Sequence, residues 1–108
     1  MNKKIEFDYK NEHYVLEYNR EGIAFIERQG FSINELSSKP MLMLPMAFSG
    51  LFFKNHKRVS QKTIDEIYDK FTNKDALVNS IAEMLSEAYS SLQDEPENNE
   101  GNIDWKIV

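Results

Sequence analysis

Any chemistry in this chain must come from a short inventory of side chains. His13 and His56 are its only histidines and cysteine is absent, which removes thiolate nucleophiles, disulfides and cysteine-ligated zinc together. Neither histidine has a second histidine or a carboxylate at a metal-binding helical spacing such as HExxH, so each reads as a surface imidazole. Serines fall in caps and loops, with no GxSxG turn to expose a nucleophile. The acidic pair Asp65 and Glu66 is expected on the solvent face of a helix, and the pair Asp94 and Glu95 in a polar tail; solvation accounts for both without acid–base catalysis. The glycines stand far apart, at positions 22, 30, 50 and 101, and cannot form a phosphate cradle. The expectation is a protein with no catalytic residue, no metal and no cofactor.

One basic cluster remains, KNHKR at residues 54–58. Lys54, Lys57 and Arg58 suit phosphate contacts, but cations just after a helix C-terminus also complement its dipole. Net charge is −5, and residues 93–108 hold five acids against Lys106, which leaves twelve cations and thirteen acids in the rest of the chain. A nearly neutral body with an acidic tail opposes a nucleic-acid surface. The two helices expected after the cluster do not make a helix-turn-helix, because the second is long and has no basic recognition face.

The positions that remain to be explained are apolar. Ten of the thirteen side chains in MLMLPMAFSGLFF, residues 41–53, are hydrophobic. Wound as a helix at about 100° per residue, the stretch places Met41, Leu44, Phe48 and Leu51 on one side, facing the rest of the fold. Leu42, Met46 and Phe53 fall on the other, beside Met43, Ser49 and Gly50. A surface helix of a monomer is polar on that side. Either a partner covers it, with Leu42, Met43, Met46 and Phe53 as the contacts, or the helix is sandwiched centrally in its own domain. Methionine favours a partner, since its flexible thioether adapts to varied surfaces, and Gly50 with Ser49 leaves room for a close helix approach. Pro45 either kinks the helix or starts a shorter one. The run is too short and broken to cross a bilayer, which takes about twenty residues.

The elements that must position this stretch are legible on either side. Ile5, Phe7 and Tyr9 alternate with Lys4, Glu6 and Asp8, and Tyr14, Leu16 and Tyr18 repeat the alternation after a polar turn around KNEH. This predicts a β-hairpin with one aromatic face, to be covered by helices or extended by another chain's strand. Asn19 caps a short helix through REGIAFIERQ, ended by Gly30 in a left-handed conformation. Residues 31–40 read as loop, with Phe31 and Ile33 as anchors. Ser60 caps a helix whose stripe is Ile64, Ile67, Tyr68 and Phe71, and Thr72 with Asp75 marks the start of the last helix. That helix turns Leu77, Val78, Ile81, Leu85, Ala88 and Leu92 inward. The resulting fold class is α+β: an N-terminal hairpin packed on about four helices in a single domain over residues 1–92, then a flexible acidic tail, 93–108, that regains hydrophobicity in IDWKIV. Trp105 either docks on a neighbouring subunit or anchors the tail on its own core. The N-terminus, MNKKIEFDYK, lacks the apolar core and cleavage site of a signal peptide, so the protein is expected to remain inside its cell.

The hairpin start, GLFFKNHKRVSQKTIDEIYDKF and SLQDEPENNEGNIDWKIV together resemble the small tail assembly chaperones of long-tailed phages and prophages of Gram-positive bacteria. The similarity runs over most of the chain. Its most specific parts are Gly50 to Ser60, with Lys54, Asn55 and His56 before Val59 and Ser60, and Trp105 after an acidic linker. The resemblance implies a noncatalytic protein of the infected or lysogenic host's cytoplasm. It would bind the long hydrophobic helical tape measure protein and keep it soluble while the tail tube assembles, and in many such families a frameshifted longer form exists. A homo-oligomer is compatible with it. Competing classes are a structural head–tail or tail component, which would remain in virions, and a DNA-binding phage regulator.

Overall fold

A computed structural model describes residues 3–93 and 101–108. It has the α+β architecture: strands β1 (Ile5–Tyr9) and β2 (Glu12–Leu16), then helices α1 (Arg20–Arg28), α2 (Pro40–Gly50), α3 (Gln61–Lys70) and α4 (Lys74–Ser90). Short 3-10 turns occupy Ile33–Glu35 and Ser91–Gln93. Residues 94–100 of the tail expected to be flexible lie outside the described residues.

The strands pair antiparallel with Ile5 opposite Leu16, Phe7 opposite Tyr14 and Tyr9 opposite Glu12. Lys10 and Asn11 both take positive φ, 49° and 66°, as a two-residue turn matched to strand twist requires. Asparagine tolerates that region well. Lys10 lacks this tolerance, but it reaches across to Glu66 on α3 at 3.2 Å, as does Tyr9 at 2.5 Å. Glu66 is therefore a tie between hairpin and helix rather than a solvated acid.

Helix boundaries follow local chemistry. The side chain of Asn19 accepts from Gly22 N–H and that of Ser60 from Thr63 N–H, each satisfying a donor that the first turn leaves unpaired. The cap of α4 lies one residue beyond the expected Thr72. Asn73 enters the left-handed region at φ 53° and accepts from Ala76 N–H, a conformation asparagine adopts more readily than threonine because threonine is branched at Cβ. On α4 the buried residues are Leu77, Ile81, Met84 and Leu85. Leu92, expected inward, is 57% exposed, because the α-helix gives way to the 3-10 turn after Ser90 and its phase is lost.

Helix α2 lies at the centre, in contact with α1, α3 and α4. Met43, Ala47, Phe48, Ser49, Gly50, Leu51 and Phe52 are all buried. Aromatic rings join the layers: Phe7 lies 5.1 Å from Tyr14 and 5.0 Å from Phe71, and Phe48 lies within 5.1–5.7 Å of Phe52, Tyr68 and Phe71. Edge-on and stacked pairs of this kind contribute about 0.5–1.5 kcal/mol each beyond area burial.

The close approach expected at Gly50 is made within the chain. Gly22 of α1 meets the end of α2 so closely that a Cβ there would stand 2.9 Å from the Gly50 carbonyl oxygen and 3.0 Å from Phe53 Cβ. Alanine in a helix interior is ordinarily better than glycine by about 1 kcal/mol. Here the clash is with a backbone atom that cannot rotate away, and overpacking costs about 1–3 kcal/mol. Gly22→Ala is therefore expected to lower stability by about 1–2 kcal/mol in urea unfolding; a stabilised variant would show that α1 and α2 separate easily.

Candidate functional site

The central stretch divides into a buried half and a projecting turn. Pro40 occupies the first turn of α2, where a missing N–H costs nothing. Pro45 lies inside the helix, and the N–H it lacks is the one that would reach the Met41 carbonyl. The unpaired acceptor thus falls on the turn that water reaches. Met41 is 91% exposed and Leu42 59%. Ile33, in the preceding 3-10 turn, is 36% exposed.

The phase of burial corrects two expectations. The helical pattern puts Met41 on the inward side, and it is instead 91% exposed. Met43, expected among the partner contacts, is 1% exposed, with its sulfur accepting from the Ser32 N–H at 3.5 Å. The buried stripe runs through Met43, Ala47 and Gly50, because α2 begins at Pro40 and its first turn overhangs the body. Met46 is half-buried against the core. Phe53 follows the helix, half-buried 5.3 Å from Phe25 and beneath Lys57 Nζ at 4.6 Å. Of the four expected contacts on this stretch, Leu42 is the one fully on the surface. Trp105 is 75% exposed, beside Ile103 at 82% and Ile107 at 87%, and does not anchor the segment to the core.

KNHKR is largely engaged by the hairpin. Lys54 Nζ donates to Glu17 Oε1 at 3.1 Å, and Asn55 Nδ2 to Glu17 Oε2 at 2.9 Å and to the Val15 carbonyl at 3.1 Å. His56 is no free surface imidazole: its Nε2 accepts from Val15 N–H at 3.0 Å, which places its proton on Nδ1, and its ring lies 4.9 Å from Tyr14. Glu17 N–H donates to the Leu51 carbonyl at 3.2 Å. Residues 51–56 therefore close the outer edge of β2. Glu17 is buried at 5% exposure. Its carboxyl is held below the usual range chiefly by the Asn55 hydrogen bond, with Lys54 helping and burial opposing.

His13 is the exposed histidine, 2.7 Å from Asp8 and 3.4 Å from Glu6; the Asp8 hydrogen bond raises its pKa. Among the described residues no cluster of histidine, aspartate and glutamate is disposed to hold a metal, and no helix is long and apolar enough to cross a membrane.

A concavity between α1 and α4 escaped sequence reasoning. A cleft of about 640 Å³ lies between α1 and α4, with Ile23, Ala24, Glu27, Met84, Ala88 and Tyr89 among its lining residues. Tyr89 donates to Glu27 Oε2 at 2.5 Å across it, and burial followed by that carboxylate pushes the phenol pKa up. Tyr18, at its base, donates to the Ala47 carbonyl at 2.6 Å, its pKa raised by burial. Both phenols are neutral hydrogen-bond donors: Tyr89 ties α4 to α1, and Tyr18 ties the segment before α1 to α2. A cleft between elements about 60 residues apart in the chain has no local signature.

The family profile described as "Domain of unknown function (DUF5055)" matches residues 1–108. The chain belongs to this family. No curated protein and no solved structure matches it.

Proposed function

We propose that this protein is a noncatalytic tail assembly chaperone of a phage or prophage, which covers apolar helical segments of the tape measure protein in the host cytoplasm. The observation that carries the reading is the overhanging first turn of α2, where Met41 and Leu42 stand at 91% and 59% exposure on a helix whose other end is buried. Two adjacent apolar side chains on a rigid helix end supply anchors for a helical partner. The thioether of Met41 lets them fit more than one partner sequence. The resemblance of residues 50–60 and of the acidic stretch before Trp105 to phage tail chaperones supports the choice of partner. The acidic tail gives the complex charge and hence solubility.

The test is capture of a coexpressed tape measure fragment by the double variant Met41→Asp, Leu42→Asp. Burying two such side chains contributes about 1.5–3 kcal/mol each, so affinity should fall about a hundredfold or more. Because both positions are exposed, the circular dichroism and melting temperature should stay at wild-type values. Undiminished capture by the folded variant would reject this surface.

A further inference from the structure

Among the described residues, the hairpin has one closed edge and one open one. On β2, the outward main-chain groups of Val15 and Glu17 are taken by His56, Asn55 and Leu51. On β1, Glu6 stands opposite Val15 and Asp8 opposite His13. Facing residues of an antiparallel pair point their N–H and C=O groups the same way relative to the ladder, so those of Glu6 and Asp8 point away from β2. Among the described residues they meet no backbone partner. The inner faces differ in the same sense: Tyr14 and Leu16 of β2 are buried, whereas Ile5, Phe7 and Tyr9 of β1 are only half-buried. An open edge above a half-covered apolar face is a template for another strand.

The chain carries a segment of matching form. In IDWKIV, Ile103, Trp105 and Ile107 alternate with Asp104 and Lys106, the period-two pattern of a half-buried strand. The three apolar residues are 75–87% exposed and the segment is paired with nothing in the hairpin. Six residues extend about 20 Å, enough to run beside the five of β1. In that position Ile103, Trp105 and Ile107 lie in the same layer as Ile5, Phe7 and Tyr9, and Asp104 and Lys106 join Glu6 and Asp8 on the polar face. The folded chain leaves its own segment off its own edge.

We infer that residues 103–108 of one copy add as a third strand to β1 of a second copy, forming a dimer by reciprocal strand exchange. This inference is independent of the chaperone reading, since it uses neither Met41 nor Leu42.

Trp105 is the only tryptophan of the chain, so its fluorescence reports this contact directly. The full chain should sediment as a dimer, with tryptophan emission shifting to the blue as concentration rises through the micromolar range. Deleting residues 103–108 should give a monomer. Glu6→Pro should also give a monomer, because it removes an outward N–H while the bonds between β1 and β2 remain. An equimolar mixture of the two variants restores one complete edge and one complete segment, and should dimerise although neither variant does alone. A monomeric full chain, a blue emission independent of concentration (the segment docked on its own edge), or a dimer that survives either change would overturn the proposal. So would failure of the mixture to pair.

Discussion

Replacing Phe48 by alanine should remove a large part of the stability of this protein. Phe48 is fully buried and touches Phe52 in the segment after α2, Tyr68 on α3 and Phe71 just beyond it. Phe71 in turn meets Phe7 of the hairpin. The side chain thus lies where these layers meet, and its removal leaves a cavity between aromatic neighbours from three elements. Phenylalanine-to-alanine changes in cores cost about 3–5 kcal/mol, against a total of about 5–15 kcal/mol for a domain. The variant should melt about 15–30 °C lower, or be unfolded at room temperature. Phe48→Leu, which retains much of the volume, should lose roughly half as much. Urea unfolding of both variants checks the effect, and a loss below about 1.5 kcal/mol for alanine would mean that the core around α2 repacks freely.

The second large effect is expected at Glu17, whose carboxylate holds Lys54 and Asn55 against β2. Glu17→Ala leaves the Asn55 amide without its charged acceptor, while Lys54, already 40% exposed, returns to water. The loss is therefore that of a charge-assisted hydrogen bond and a closed strand edge, about 2–3 kcal/mol, rather than that of a fully buried ion pair. The same contact should make the fold acid-sensitive. The carboxyl pKa is lowered in the folded state from its ordinary value of 4.5, so its stabilisation is fully present above that pH. It is lost as pH falls from there through the lower folded value. Chemical unfolding of wild type and Glu17→Gln at a series of pH values should show a gap that is widest near neutrality and closes below pH 4.5. A gap constant with pH would place the contribution of Glu17 in packing rather than in its charge.

Much of the candidate site was legible before the fold, but in the wrong phase. The excess of apolar surface in residues 41–53 is real, and Leu42 lies where the helical pattern puts it. Met43 and Met41 exchange roles, because periodicity fixes which residues share a face but not which face the body covers. That depends on how far the hairpin and the other helices extend along α2, and they stop short of its first turn. His56 is the clearest case of a residue whose type misled. As a lone imidazole in a basic cluster it looked solvated, yet it closes a strand 41 positions earlier.

What the amino-acid order determined by itself is everything set within a few residues along the chain. The alternation of Ile5, Phe7 and Tyr9 makes a strand, Asn19 and Ser60 cap helices, Gly30 takes its positive φ of 112°, and the spacing of Ile64, Ile67 and Tyr68 makes a stripe. Only the tertiary structure decided that Glu17 is a buried clamp, that Gly22 is needed for contact with Gly50, that among the described residues β2 has a closed edge and β1 an open one, and which turn of α2 stands free. Those outcomes join residues 28 to 41 positions apart. They depend on shapes and unpaired groups that arise only when whole elements meet, and no local period or capping preference encodes them.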